Sequence, residues 1–184
     1  MGFLLLIVGL ALWTGAHYFK RLAPEARAKL GEPGKGLVTI LLLISLGAMI
    51  YGYRWAPFIE VWSPPSVLRH INNLLMLVAF YVYLSAMAAP NLKIARIGHP
   101  QLIGFKIWAV AHLLVNGDLA SILLFGGLLA WAVGSVILIN KQDGKPVRSE
   151  TAPIKSEAIM ALVGVTGFVA IAVVHILLGV NPFG

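Results

Sequence analysis

Three histidines lie inside long apolar stretches or at their ends: His17, His112 and His175. An ionisable ring at membrane depth is costly, which makes each a functional candidate. His112 leads. Gly104, Trp108, His112 and Asn116 recur every four residues, so on a helix they share one face. That face offers close approach, an aromatic wall, an imidazole and an amide. Apolar surroundings favour the neutral imidazole, which suits iron, zinc or copper. A histidine hydrogen-bonded to a neighbouring helix, worth about 1 kcal/mol, accounts for the same pattern without a metal.

His17 has a comparable setting. Trp13 precedes it by one turn, and Lys20 and Arg21 follow on the same face. An anionic cofactor held by His17 would meet those cations directly. An end-of-helix histidine among ordinary topogenic charges is the competing account. His99 beside Pro100 reads as a wet, structural histidine, His70 begins a helix, and His175 near a helix end suits hydrogen bonding. No two histidines have one-helix metal spacing, so a metal site must be assembled between helices. The carboxylates Glu25, Glu32, Glu60, Asp118, Asp143, Glu150 and Glu157 all fall in loops or at helix starts. Without an intramembrane pair of them, hydrolysis and proton pumping find little support. There are no cysteines, which excludes thiolate ligands and iron–sulfur clusters.

The elements that must position these groups are apolar. Hydrophobic residues make up 59% of the 184 and charged ones 11%, the balance of an integral membrane protein. Apolar runs at 2–19, 37–53, 70–89, 100–115, 119–139 and 155–180 predict six helices. The fold expected is therefore all-α, a single polytopic membrane bundle over residues 1–184. The first run lacks a basic leader and a cleavage site, so it reads as a retained helix. Trp55, Trp62, Pro57, Pro64 and Pro65 mark 54–69 as an interfacial loop. In the fifth run, Gly126, Ala130 and Gly134 form a small-residue stripe expected to pack against another helix.

Charge sets the expected topology. Lys20, Arg21, Arg27, Lys29 and Lys35 follow the first run, Lys93 and Arg96 the third, and Lys141, Lys145, Arg148 and Lys155 the fifth. The opposite side carries only Arg54 and Arg69, so both termini are expected on the periplasmic face of a bacterial inner membrane. The net charge of +7 is thus a topology signal; no basic face with aromatic platforms is present for nucleic acid. The fourth run, Pro100 to Val115, is roughly 24 Å long at about 1.5 Å per residue. That falls short of about 30 Å of hydrocarbon. The turn Asn116-Gly117-Asp118 is therefore expected below the surface, with Asp118 capping the next helix and lining a site in one reading.

Residues 98–134, GHPQLIGFKIWAVAHLLVNGDLASILLFGGLLAWAVG, resemble the NnrU family of bacterial membrane proteins, as do residues 11–38 with His17 ahead of KLGEPGKGL. NnrU proteins are associated with denitrification genes and are similar to 15-cis-zeta-carotene isomerases, membrane enzymes that use haem b. The resemblance implies that His112, thirteen positions after the H-P-Q histidine, and His17 are the iron ligands. The isomerases carry a cysteine three residues before the second ligand; Ala109 stands there, so thiolate exchange has no counterpart. A later histidine of the plant sequences is replaced near Trp131.

The resemblance then implies a membrane haem b protein, with Lys20 and Arg21 neutralising propionates and Trp13, Trp108 and Asn116 around the pocket. A redox-controlled isomerase acting on a lipophilic polyene such as a cis-carotene is one outcome. The others are a haem-containing redox or nitric-oxide accessory and a cofactor-free assembly partner. Ligand depth leaves the pairing open. Counted from the cytoplasmic ends, His112 lies about 18 Å up its run and His17 about 5 Å into the first. Depth alone pairs His17 with His99, or His112 with His175 or His70.

Overall fold

The computed structural model describes residues 1–88, 98–144 and 154–183. Among the described residues seven helices are formed: α1 (Gly2–Leu22), α2 (Pro24–Lys29), α3 (Pro33–Trp55), α4 (Val67–Ala88), α5 (Pro100–Val115), α6 (Leu119–Asp143) and α7 (Ile154–Leu177). Among the described residues there is no strand, only an isolated bridge between Glu60 and Asp118. Five helices (α1, α3, α4, α6 and α7) are long and apolar enough to cross a membrane, and α5 is a shorter apolar helix of 16 residues. The chain is a multi-pass helical membrane protein, and lipid is its solvent.

Each apolar run becomes one helix, with ends shifted by a few residues. The 20–36 loop differs from expectation because it holds α2. Pro24 opens that helix with φ already set, Glu25 sits at its positive end, and Arg27 and Lys29 sit at its negative end. Gly31 ends the segment at φ 54°, a left-handed conformation that favours glycine. The basic residues Lys93, Arg96, Lys145 and Arg148, and Pro153 at the start of the last run, lie outside the described residues.

The chain divides into two units: Met1–Trp62 with Gly117–Trp131, and Ser63–Asn116 with Ala132–Gly184. In unit one, α1 packs on α3 through glycines. A Cβ at Gly9 would lie 2.9 Å from Met49 N and 3.0 Å from Ser45 O. In unit two, α4 is the central helix. Gly104 brings α5 against Ala79 and Tyr83, and Gly164 brings α7 against the Tyr81 backbone. The Tyr81 hydroxyl donates to Glu157 across the α4–α7 contact. Both α5 and α7 run antiparallel to α4, and so parallel to one another.

Two members of the small-residue stripe of α6 make no close helix contact. A Cβ at Gly126 would meet nothing within 4 Å and Ala130 is exposed, whereas a Cβ at the adjacent Gly127 would lie 3.0 Å from the Leu10 side chain.

The turn after α5 shows how irregular backbone is satisfied in unit one. α3 stops at Trp55 because Ala56, preceding Pro57, is held extended. The following segment folds onto the buried Gly117. The Val61 and Trp62 N–H groups donate to Gly117 O at 2.8 and 3.1 Å, and Leu119 N–H donates to Ile59 O at 2.8 Å. Asp118 caps α6: Ser121 N–H donates to Oδ1 at 3.0 Å and the Ser121 hydroxyl to Oδ2 at 2.5 Å. Tyr53 OH joins the Ser121 hydroxyl at 2.9 Å. Loss of the cap and of a half-buried acceptor sets the expected cost. Asp118→Ala lowers stability by about 2 kcal/mol, and Asp118→Asn by less than about 1 kcal/mol because its amide oxygen still caps. Thermal unfolding of the two variants in mild detergent checks the order.

Candidate functional site

The proposed ligand residues belong to different units. In unit one, His17 stands in the last third of α1. Its Nδ1 lies 2.9 Å from Trp13 O, the carbonyl one turn earlier. In a neutral ring Nδ1–H donates there, and the lone pair is left on Nε2. Two indoles pack on this imidazole: Trp13 with ring centroids 4.3 Å apart and Trp131 of α6 at 4.7 Å. The indoles meet edge to face at 5.5 Å. Tyr18 OH donates to Trp131 O at 2.7 Å and fixes that part of α6. Trp13 Nε1 is buried and finds no acceptor among the described residues. Lys20 is exposed and Arg21 half-buried, one turn beyond His17 towards the end of α1.

In unit two, α5 carries the stripe. His112 Nδ1 lies 3.0 Å from Trp108 O, which again places the lone pair on Nε2. Trp108 packs on His112 at 5.0 Å and on Phe105 at 4.9 Å. Asn116 turns its amide nitrogen to His112 O at 2.8 Å, so it closes the last turn of α5. Gly104 allows the close approach its place on the stripe suggested. Its missing Cβ would lie 3.0 Å from Ala79 O. Beside it is an apolar cavity of about 260 Å³, lined by Met76, Phe80 and Tyr83 of α4 and Gly104, Phe105 and Trp108 of α5. Trp108 is shared between this cavity and His112.

His99 is held by Asn140 Oδ1 at 2.8 Å, the structural role its position suggested. His175 bonds Ile171 O at 2.8 Å through Nδ1. Trp131 is the contact that sequence reasoning missed. Nothing along α1 announces it, and the family resemblance marks its position only as one near which a later histidine is replaced.

The donor set decides which metal chemistry fits. Among the described residues no group of three or more histidines or carboxylates could hold a bare ion. A three- or four-residue zinc site is therefore not formed there. Haem b brings four nitrogens of its own and asks the chain only for axial donors, apolar walls and cations for its propionates. Imidazoles with Nδ1 committed to carbonyls, indole walls and the Lys20–Arg21 pair fit those demands.

Fold and candidate groups together define a polytopic helical membrane protein with imidazoles on its apolar helices. The model of the NnrU protein family matches residues 5–182, and the chain belongs to that family. No curated protein and no solved structure matches it.

Proposed function

We propose that this NnrU protein is a membrane haem b protein in which imidazoles from separate helices hold the iron. His112 and His17 are the ligands that the family resemblance implies. The observation that carries the reading is an imidazole oriented by its backbone and packed against an indole, at 4.3 Å for His17 and 5.0 Å for His112. Both imidazoles tie Nδ1 to the carbonyl four residues back, at 2.9 and 3.0 Å, which presents Nε2 as the ligating nitrogen. A carbonyl at the second nitrogen is the usual outer partner of a metal-bound histidine. Trp13 and Trp131 wall His17, Trp108 walls His112, and Lys20 and Arg21 would neutralise the propionates.

Bound haem would supply a redox-active iron. The chain's part is to hold it and to exclude water. The cavity beside Trp108, at about 260 Å³, is smaller than the usual drug-sized site and admits the end of an apolar chain. That suits a lipophilic substrate such as a polyene, and cis–trans isomerisation is the reaction that the family resemblance implies. The basic segment around α2 belongs on the cytoplasmic face of a bacterial inner membrane, with both termini periplasmic.

The test is an absorption spectrum of the full-length protein purified from cells supplied with haem precursor. A Soret band near one haem per chain is expected, with α and β bands on reduction. Protein without Soret absorption, even after haem is added back, removes the proposal in favour of a cofactor-free bundle.

A further inference from the structure

The walls of the cavity beside Trp108 differ in stiffness. Gly104 and Ala79 make a floor with no side chain to turn: a Cβ at Gly104 would lie 3.0 Å from Ala79 O and from Tyr83 N. Trp108 is packed against both Phe105, at 4.9 Å, and His112, at 5.0 Å. Tyr83 is exposed, so the cavity is reached from the bilayer. Phe80 is the wall that α7 also touches. A Cβ at Gly167 of α7 would lie 3.1 Å from Phe80 Cδ1, 3.5 Å from Phe80 Cε1 and 3.1 Å from Leu84 Cδ1.

The seat of α7 is firmer than that ring. A Cβ at Gly164 would lie 3.0 Å from Tyr81 Cα and 3.1 Å from Tyr81 N, backbone atoms that no rotamer moves. The Tyr81 hydroxyl ties the same two helices through Glu157. Bulk added at position 167 therefore displaces the side chains of Phe80 and Leu84 before it displaces α7, and Phe80 can turn only at the cavity's expense.

The lining also chooses an occupant. An apolar cavity of about 150 Å³ stays dry and takes benzene. One of about 260 Å³ in a membrane protein takes a longer piece of hydrocarbon. Four aromatic rings (Phe80, Tyr83, Phe105 and Trp108) and the Met76 thioether make this lining polarisable, which favours unsaturated carbon over a saturated chain.

We infer that Phe80, seated on Gly167 of α7, is the specificity-determining residue of this pocket: it sets how much of the unsaturated chain end of a membrane-dissolved lipophile the cavity admits. The inference rests on the reading above that the cavity takes the substrate, and not on bound haem.

The experiment titrates the full-length protein in mild detergent with cis-parinaric acid, a conjugated tetraene fatty acid whose emission rises in an apolar site. Saturable binding of about one probe per chain is expected above a protein-free blank, with poor displacement by saturated stearic acid. Gly167→Val is expected to weaken binding about tenfold, the scale of small volume changes in an apolar pocket. Phe80→Leu added to that variant makes room again and is expected to recover most of the loss, with thermal unfolding verifying the fold. Phe80→Trp leaves α7 unaltered, is expected to cause a similar loss, and carries the test where Gly167→Val fails to fold. Wild-type affinity in Phe80→Trp, or a Gly167→Val loss that Phe80→Leu leaves in place, overturns the inference. Absence of saturable binding, or displacement by stearic acid at equal concentration, overturns the occupant. A protein without a Soret band that shows the binding and its rescue removes the haem reading and leaves this pocket standing. A Soret band without saturable probe binding does the reverse.

Discussion

Gly52→Ala is expected to disrupt unit one, whereas Gly47→Ala on the same helix is expected to be neutral or mildly stabilising. Replacing glycine by alanine inside a helix ordinarily gains about 0.5–1 kcal/mol. At Gly47 nothing lies within 4 Å of the added carbon, so that gain is unopposed. At Gly52 the added carbon would lie 2.4 Å from Leu6 N, 2.8 Å from Leu6 Cα and 3.0 Å from Gly2 O. All three are backbone atoms, so no rotamer change relieves the clash. The helices must separate, and in lipid their close packing is the main force holding them together. Overpacking of this kind costs about 3 kcal/mol or more when backbone must move. Thermal unfolding in mild detergent, with yield of monodisperse protein beside it, reads the contrast. Equal midpoints for the two variants would show that α1 and α3 do not meet at Gly52.

That contrast also shows what a membrane sequence conceals. The six apolar runs are plain because lipid demands long uninterrupted stretches, and every run becomes a helix. The inward face of each is not plain, because lipid is as apolar as a helix neighbour and periodicity no longer points to a core. The stripe Gly126, Ala130 and Gly134 has the right spacing for packing, yet a Cβ at Gly126 would meet nothing and one at Gly127 would meet Leu10. Gly9 and Gly52 carry the α1–α3 packing with no spacing that separates them from Gly15 or Gly47, which meet nothing.

The site divides in the same way. Trp13 before His17 and Trp108 before His112 follow from helical spacing alone, and both contacts form. Trp131 against His17 is a contact between residues more than a hundred positions apart, and helical spacing carries no such information. The short fourth run suggests a turn at Asn116-Gly117-Asp118 below the membrane surface; within the protein Gly117 is buried and its neighbours half-buried. What satisfies the turn is a proline-rich segment whose composition suggested only the membrane interface. Its role follows from Ala56, Pro57 and the N–H groups of Val61 and Trp62, which meet Gly117 only in three dimensions.

The second large effect concerns His112. His112→Gly is expected to lower haem content per chain about tenfold or more, on the scale of lost metal-site partners and beyond it for a direct ligand. Exogenous imidazole is expected to restore the Soret band to that variant, because deletion of the side chain leaves a ring-sized gap beside Trp108. A structural histidine behaves otherwise. Its loss costs only its own hydrogen bond, about 1 kcal/mol, and added imidazole changes no spectrum. His99→Gly is the internal control, since its ring is held by Asn140 at 2.8 Å and carries no assigned ligand role. Full haem content in His112→Gly without imidazole would reduce His112 to a packing residue and return its bond to Trp108 O to ordinary helix chemistry. His175 shares that Nδ1 bond, so the bond alone cannot separate ligand from structural histidine. Rescue by a free ring can, because it requires an acceptor of that ring's nitrogen within the gap.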